Sequence, residues 1–175
     1  MQSVKKGSYI MKCLCFSDSH GDSYNMRRVL NMHPDAEVVF FLGDGLSDLE
    51  MFINDRNRKF LAVRGNWDTS AILGDSFVKN LDEINLLGHK IVFTHGNHYG
   101  VKSDLDSLLY LAEEKGASLV LFGHTHLPYE KYIPDINGGV YLFNPGSIGG
   151  RRPAGASYGI INITEQGILL SHGSL

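Results

Sequence analysis

Five apolar runs in this chain break off into polar residues of one kind: "KCLCF" into "SDSHG", "VVFFL" into "GDG", "FLAV" into "RGNWD", "IVF" into "THGN", and "LVLF" into "GHTH". A run that is apolar at every position has no wet face, so it reads as a strand covered on both sides. Sheets built from such strands alternate with helices, and loops beyond the strands' carboxyl ends converge on one crevice. The polar residues after those strands can therefore meet, although they are far apart in sequence.

The elements between the runs support a layered fold. A helix is expected from about Ser23 to Met32, closed by Pro34, and another in "SDLEMFIND" with Ser47 as N-cap. "DEINLLGHKIVFTHG" reads as a hairpin turning at Leu87 to His89, followed by a helix over residues 103–115. "YEKYIPDINGGVYLFNPGS" and "SYGIINITEQGILLSH" read as two further hairpins, so the second half is expected to be mostly antiparallel. The fold expected is α/β, with two packed sheets flanked by helices. The chain of 175 residues is long enough for one domain with a sizeable core. Met11 opens the first strand, so residues 1–10 read as an N-terminal extension or alternative start and residues 11–175 as a single domain.

Composition narrows the function classes. With 16 basic and 19 acidic residues, the chain has no overall attraction for nucleic acid or acidic membranes. No apolar run approaches the length of a membrane span or resembles a secretory signal. The two cysteines, Cys13 and Cys15, alternate on one apolar strand, where disulfide geometry is poor. Buried reduced thiols and a cytoplasmic location are expected.

The residues that converge are Asp18, His20, Asp44, Asn66, His95, His124 and His126. Any one motif could be an ordinary turn; five in one order point to a site. Carboxylate, amide and imidazole donors without thiolate suit borderline divalent ions: manganese first, with iron, nickel or zinc as alternatives. Asp18/His20 and His124/His126 are spaced i, i+2, which on extended backbone puts both side chains on one face. Seven donors exceed the needs of one tetrahedral ion, and with Asp44 bridging they would serve two ions about 4 Å apart.

In these motifs, DSH, GD, GNWD, TH and GHTH, the chain resembles the calcineurin-like metallophosphoesterases, and its short length and "NPGS" segment resemble their small YfcE-like phosphodiesterase branch. The resemblance implies a four-layer αββα sandwich of two mixed β-sheets. It also implies one metal ion at Asp18, His20 and His126, a second at Asn66, His95 and His124, and Asp44 as the bridge. The implied activity is hydrolysis of small phosphodiesters by a metal-activated hydroxide.

Departures from the family pattern bear on the catalytic acid. Larger members carry a histidine where this chain has Trp67, and an indole nitrogen donates but does not titrate. Asp68, which would orient that histidine, loses its expected partner. Small relatives often read H-G-H where this chain has Gly96, Asn97 and His98. His98 is therefore the candidate acid, with Asn97 as a candidate substrate contact. Arg151 and Arg152, after a glycine-rich loop, are further candidates for binding phosphate. The rival expectations are a metal-binding scaffold or protein-interaction module of the same fold, and a nuclease or dinucleotide hydrolase. The partner expected is a small phosphodiester; the charge pattern weighs against long nucleic acid, and homo-oligomerisation stays open.

Overall fold

The computed structural model describes residues 9–150 and 155–175. Chain order begins with β1 (Met11–Phe16), α1 (Ser23–Met32), β2 (Val38–Phe41), a short α2 (Leu46–Leu49) and β3 (Lys59–Ala62). Two-residue strands β4 (Ile72–Leu73) and β5 (Ser76–Phe77) form a small hairpin. β6 (Leu81–Leu86), β7 (His89–Thr94), α3 (Asp106–Lys115), β8 (Leu119–Leu121), β9 (Pro128–Ile133), β10 (Val140–Pro145), β11 (Ser157–Thr164) and β12 (Gly167–Ser174) complete the domain.

Two five-stranded mixed sheets result, ordered β12-β11-β1-β2-β3 and β6-β7-β8-β10-β9. β1, β2 and β3 run parallel, as do β7, β8 and β10. The second half is thus less uniformly antiparallel than its hairpins imply: α3 carries the chain from β7 to a parallel β8, as a parallel pair requires.

Alternation along β1 sorts the layers. Cys13 and Cys15 point into the core between the sheets with Val38, Phe40, Ile91, Phe93, Leu121 and Phe143. Leu14 and Phe16 point the other way, against Met26, Val29 and Leu30 of α1. The outer face of the second sheet buries Val92, Val120 and Leu142 against Leu108, Leu111 and Ala112 of α3. The stack is helix, sheet, sheet, helix, and burial of these apolar faces is its main driving force.

Local sequence accounts for most boundaries. Asp22 caps α1, its carboxylate accepting from the N–H groups of Tyr24 and Asn25. Leu87 and Gly88 both take positive φ, 49° and 87°, as the tight turn between β6 and β7 demands. Ser47 is not a cap; it lies inside α2, whose N-cap position is Gly45. The carboxylate serving that helix end comes from Asp68, which accepts from the N–H groups of Gly45 and Leu46 at 2.8 and 2.9 Å.

Candidate metal centre

The carboxyl ends of β1, β2, β3, β7 and β8 open onto one edge of the sandwich, where the loops are clasped by backbone hydrogen bonds. Asp18 N–H donates to Gly43 O at 3.0 Å and His20 N–H to Asp44 O at 3.1 Å, joining the first two loops; Gly123 N–H donates to His95 O at 3.0 Å, joining the last two. Glycine makes the closest approach possible. A Cβ on Gly43 would lie 2.4 Å from Gly65 N, and one on Gly65 would lie 2.1 Å from Asp44 Oδ1.

Asp18, His20 and His126 form one group of facing donor atoms, and Asp44, His95 and His124 form another; within each group these atoms lie within 4.8 Å of one another. His126 Nε2 is 3.0 Å from Asp18 Oδ1 and 3.3 Å from His20 Nε2. His95 Nε2 is 3.0 Å from Asn66 Oδ1, 3.1 Å from His124 Nδ1 and 3.3 Å from Asp44 Oδ2. The same Asp44 oxygen is 3.9 Å from His20 Nε2, so it stands between the groups.

The i, i+2 pairs meet for a different reason from strand alternation. Asp18, His20, Asp44, His124 and His126 all have positive φ, between 48° and 66°. They lie past the strand ends, in left-handed turns that cost non-glycine residues about 1–3 kcal/mol each. Such strain persists only where surrounding contacts over-determine it, and here they do. Ser147 Oγ donates to Asp18 O at 2.8 Å, and Ile148 N–H to Ser17 O at 3.0 Å. Buried Asn144 donates through Nδ2 to Gly123 O and Thr125 Oγ1 at 2.9 and 3.0 Å, and accepts from Gly146 N–H at 2.9 Å.

Hydrogen bonds also fix which atoms face the centre. His95 Nδ1 lies 2.7 Å from Leu42 O and donates to it, which leaves the Nε2 lone pair directed at Asn66, Asp44 and His124. Asp18 Oδ2 accepts from Ser17 Oγ at 2.5 Å and His124 N–H at 3.1 Å, while Oδ1 is buried with no hydrogen-bond partner among the described residues. A buried carboxylate oxygen crowded by the imidazole nitrogens of His126 and His20, at 3.0 and 3.7 Å, forms with them a donor set that suits a divalent cation.

Electrostatics favour ionised carboxylates. Burial works to raise the pKa of Asp18, but the neighbouring His126, His20 and His95 and the Ser17 hydroxyl hold it well below the usual range. Asp44 is likewise lowered: burial opposes ionisation, and His95 together with the Trp67 N–H outweighs it. Burial, then the charges of His95 and Lys102, push His124 down to about 4. Burial pulls His95 down, but Asp44, the Asp18 charge and the Leu42 carbonyl carry it above an ordinary histidine.

The other sequence candidates divide. His98 is exposed in a short 3-10 turn, Asn97–Tyr99, and neither it nor Asn97 is among the residues lining the cleft over the centre. Arg151 and Arg152 lie outside the described residues. Trp67 lines the cleft, of about 850 Å³, and so does Lys102, which carries no sequence motif. Asp68 has no histidine to orient; its carboxylate takes four backbone N–H groups, those of Asp44, Gly45, Leu46 and Gly65, at 2.8–2.9 Å. Asn144, Ser147 and Ser17 also hold the centre, and only the "NPGS" segment hinted at the first two.

Two mixed sheets with carboxylate, amide and imidazole donors on their shared edge define a metallophosphoesterase-type protein. The chain belongs to the calcineurin-like phosphoesterase superfamily, whose domain matches residues 11–166. A relative in Bacillus subtilis, named "Probable metallophosphoesterase YsnB", is 32% identical over 79% of this chain and 75% of its own. A Streptococcus pneumoniae crystal structure described as a predicted phosphoesterase is 25% identical, with TM-score 0.75 over 95% of this chain and 90% of that one. Vacuolar Protein Sorting 29 from Cryptosporidium parvum shares the fold at 18% identity, with TM-score 0.74 over 95% of this chain and all 100% of its own.

Proposed function

We propose that this chain is a phosphodiesterase that hydrolyses small phosphodiesters with two divalent cations, manganese being the first candidate. The observation that carries this reading is Asp44 Oδ2, 3.3 Å from His95 Nε2 and 3.9 Å from His20 Nε2, one ionised oxygen shared by two donor groups. Asp18, His20 and His126 would hold one ion, Asn66, His95 and His124 the other, and Asp44 both. Bound there, the cations supply charge neutralisation for the phosphate and a water acidified enough to attack phosphorus.

The chain's own residues do the rest. Asp18 and Asp44 stay ionised, His124 stays neutral at physiological pH, and His95 is oriented by Leu42 O with its Nε2 lone pair inward. Trp67 cannot protonate a leaving oxygen, and His98 lies outside the cleft lining. Substrates with leaving groups stable as anions, such as aryl esters, are therefore favoured. Lys102 is the single lysine or arginine among the described residues lining the cleft. That modest positive charge suits a diester monoanion better than a monoester dianion.

The fold alone does not separate an enzyme from a scaffold; the complete donor set favours an enzyme. Buried cysteines and the lack of any helix among the described residues long and apolar enough to cross a membrane agree with a cytoplasmic location. The test is to strip the protein with a chelator and follow hydrolysis of bis(p-nitrophenyl) phosphate and p-nitrophenyl phosphate as manganese is returned. Metal-restored turnover with the diester preferred is expected. Preference for the monoester would overturn the substrate class, and no metal-stimulated hydrolysis of either would favour the scaffold.

A further inference from the structure

Trp67, the only tryptophan of the chain, is 73% exposed where it lines the cleft. So large an apolar side chain left in water forgoes the stabilisation that burial would bring. Yet its position is fixed. Its backbone N–H donates to Asp44 Oδ1 at 2.8 Å, and its neighbours Asn66 and Asp68 are tied to His95 and to the backbone of residues 44–46. The indole stands perpendicular to the His20 ring, planes 85° apart and centroids 6.2 Å apart. A wet aromatic plane, carried on an anchored backbone, thus adjoins the donor cluster.

The cleft carries further exposed apolar surface. Ile72 lines the same cleft, and Phe77, paired directly opposite Ile72, shares its face of the β4-β5 hairpin. Both side chains are largely exposed. Ser47, Glu50 and Ser70 add hydrogen-bonding groups to the cleft wall. An apolar plane with polar groups beside it matches a nucleobase, which offers a π-face and a hydrogen-bonding edge.

We propose that Trp67 is a specificity-determining platform on which a planar base of the substrate stacks, so that the substrate class is a nucleotide-type phosphodiester with its phosphate at the histidine cluster. The phosphate's position rests on the phosphodiesterase reading above; the stacking rests on Trp67 itself. Among the described residues the cleft has one aromatic platform and one lysine; this suits one or two nucleotides rather than a long strand, which would need a basic track and repeated stacking.

The test compares AMP with ribose 5-phosphate, which carries a phosphate and sugar but no base, by calorimetric titration of the metal-loaded protein. AMP is expected to bind about tenfold to a hundredfold more tightly, the range of a single base-aromatic stack. Trp67→Ala should collapse that ratio towards one, and Trp67→Phe should keep most of it. AMP should also quench the single tryptophan's emission saturably, while ribose 5-phosphate does not. Equal affinities for the two probes in the wild type, or an undiminished ratio in Trp67→Ala, would overturn the inference. Because these readouts need no turnover, stacking without metal-stimulated hydrolysis would sink the phosphodiesterase reading alone, and hydrolysis without base discrimination would sink the platform alone.

Discussion

Asp68 accepts a 2.9 Å hydrogen bond from the backbone N–H of Asp44, so the carboxylate that lacks a histidine at position 67 holds the candidate bridging residue in place. Its other three N–H partners belong to Gly45, Leu46 and Gly65. Removing the carboxylate would leave several donors unpaired in a nearly closed site. Asp68→Ala is expected to cost about 2–4 kcal/mol in urea denaturation, and Asp68→Asn, which cannot accept at both ends, more than half of that. A loss below about 0.5 kcal/mol, the usual scatter for surface changes, would show that the clamp is not structural.

Gly65→Ala tests the approach of the second and third loops. The new methyl would meet Asp44 Oδ1 at 2.1 Å and Asp44 N at 2.4 Å, and backbone cannot swing aside as a side-chain end can. Destabilisation of about 1–3 kcal/mol is expected, with weaker manganese binding by calorimetry. Wild-type stability and affinity together would show that the two loops have room to part.

Asn144 is 0% exposed and supports the "GHTH" loop without touching the candidate donors. Asn144→Ala should therefore lower metal affinity by about 10–100-fold, the usual loss for a residue that orients ligands from behind. Equilibrium dialysis with manganese measures it, and unchanged affinity would show that Asn144 does not position the metal donors.

Metal binding should be proton-linked through His95 rather than His124. A cation needs a neutral imidazole; against the pull of burial, Asp44 and the Asp18 charge raise His95 above its ordinary value, whereas burial and the His95 charge push His124 down to about 4. Affinity should fall as pH drops through the raised His95 value, with proton release measurable by calorimetry in buffers of different ionisation enthalpy. In the metal-free protein, stability from His95 is present below its unfolded pKa and lost as pH rises through its raised folded value. Stability from His124, Asp18 and Asp44, all lowered, is lost as pH falls below their unfolded values. Thermal melting should therefore be highest between these limits, and a monotonic rise with pH would contradict the His95 assignment.

Elements set by short-range pattern were legible in the sequence. α1 runs from Ser23 to Met32 where apolar spacing and Pro34 put it, and the strand ends carry the seven candidate donors to one edge. What was not legible depends on contacts distant in the chain. Ser47, at the head of "SDLEMFIND", reads as the cap of α2, yet Asp68 serves that helix from the next loop. The paired donors share a pocket through left-handed turns, not through extended alternation. Asp68 bonds only to backbone N–H groups and Asn144 mostly to backbone groups, which carry no side-chain pattern to detect.

Under the proposed function, Asp44 couples the two donor groups into one hydrolytic centre. The most direct test is kcat/KM for bis(p-nitrophenyl) phosphate at saturating manganese, compared between the wild type and Asp44→Asn, which keeps the shape and removes the charge. A fall of at least about a hundredfold is expected, as loss of a group acting on the transition state produces. An Asp44→Asn protein that keeps wild-type kcat/KM would contradict that coupling.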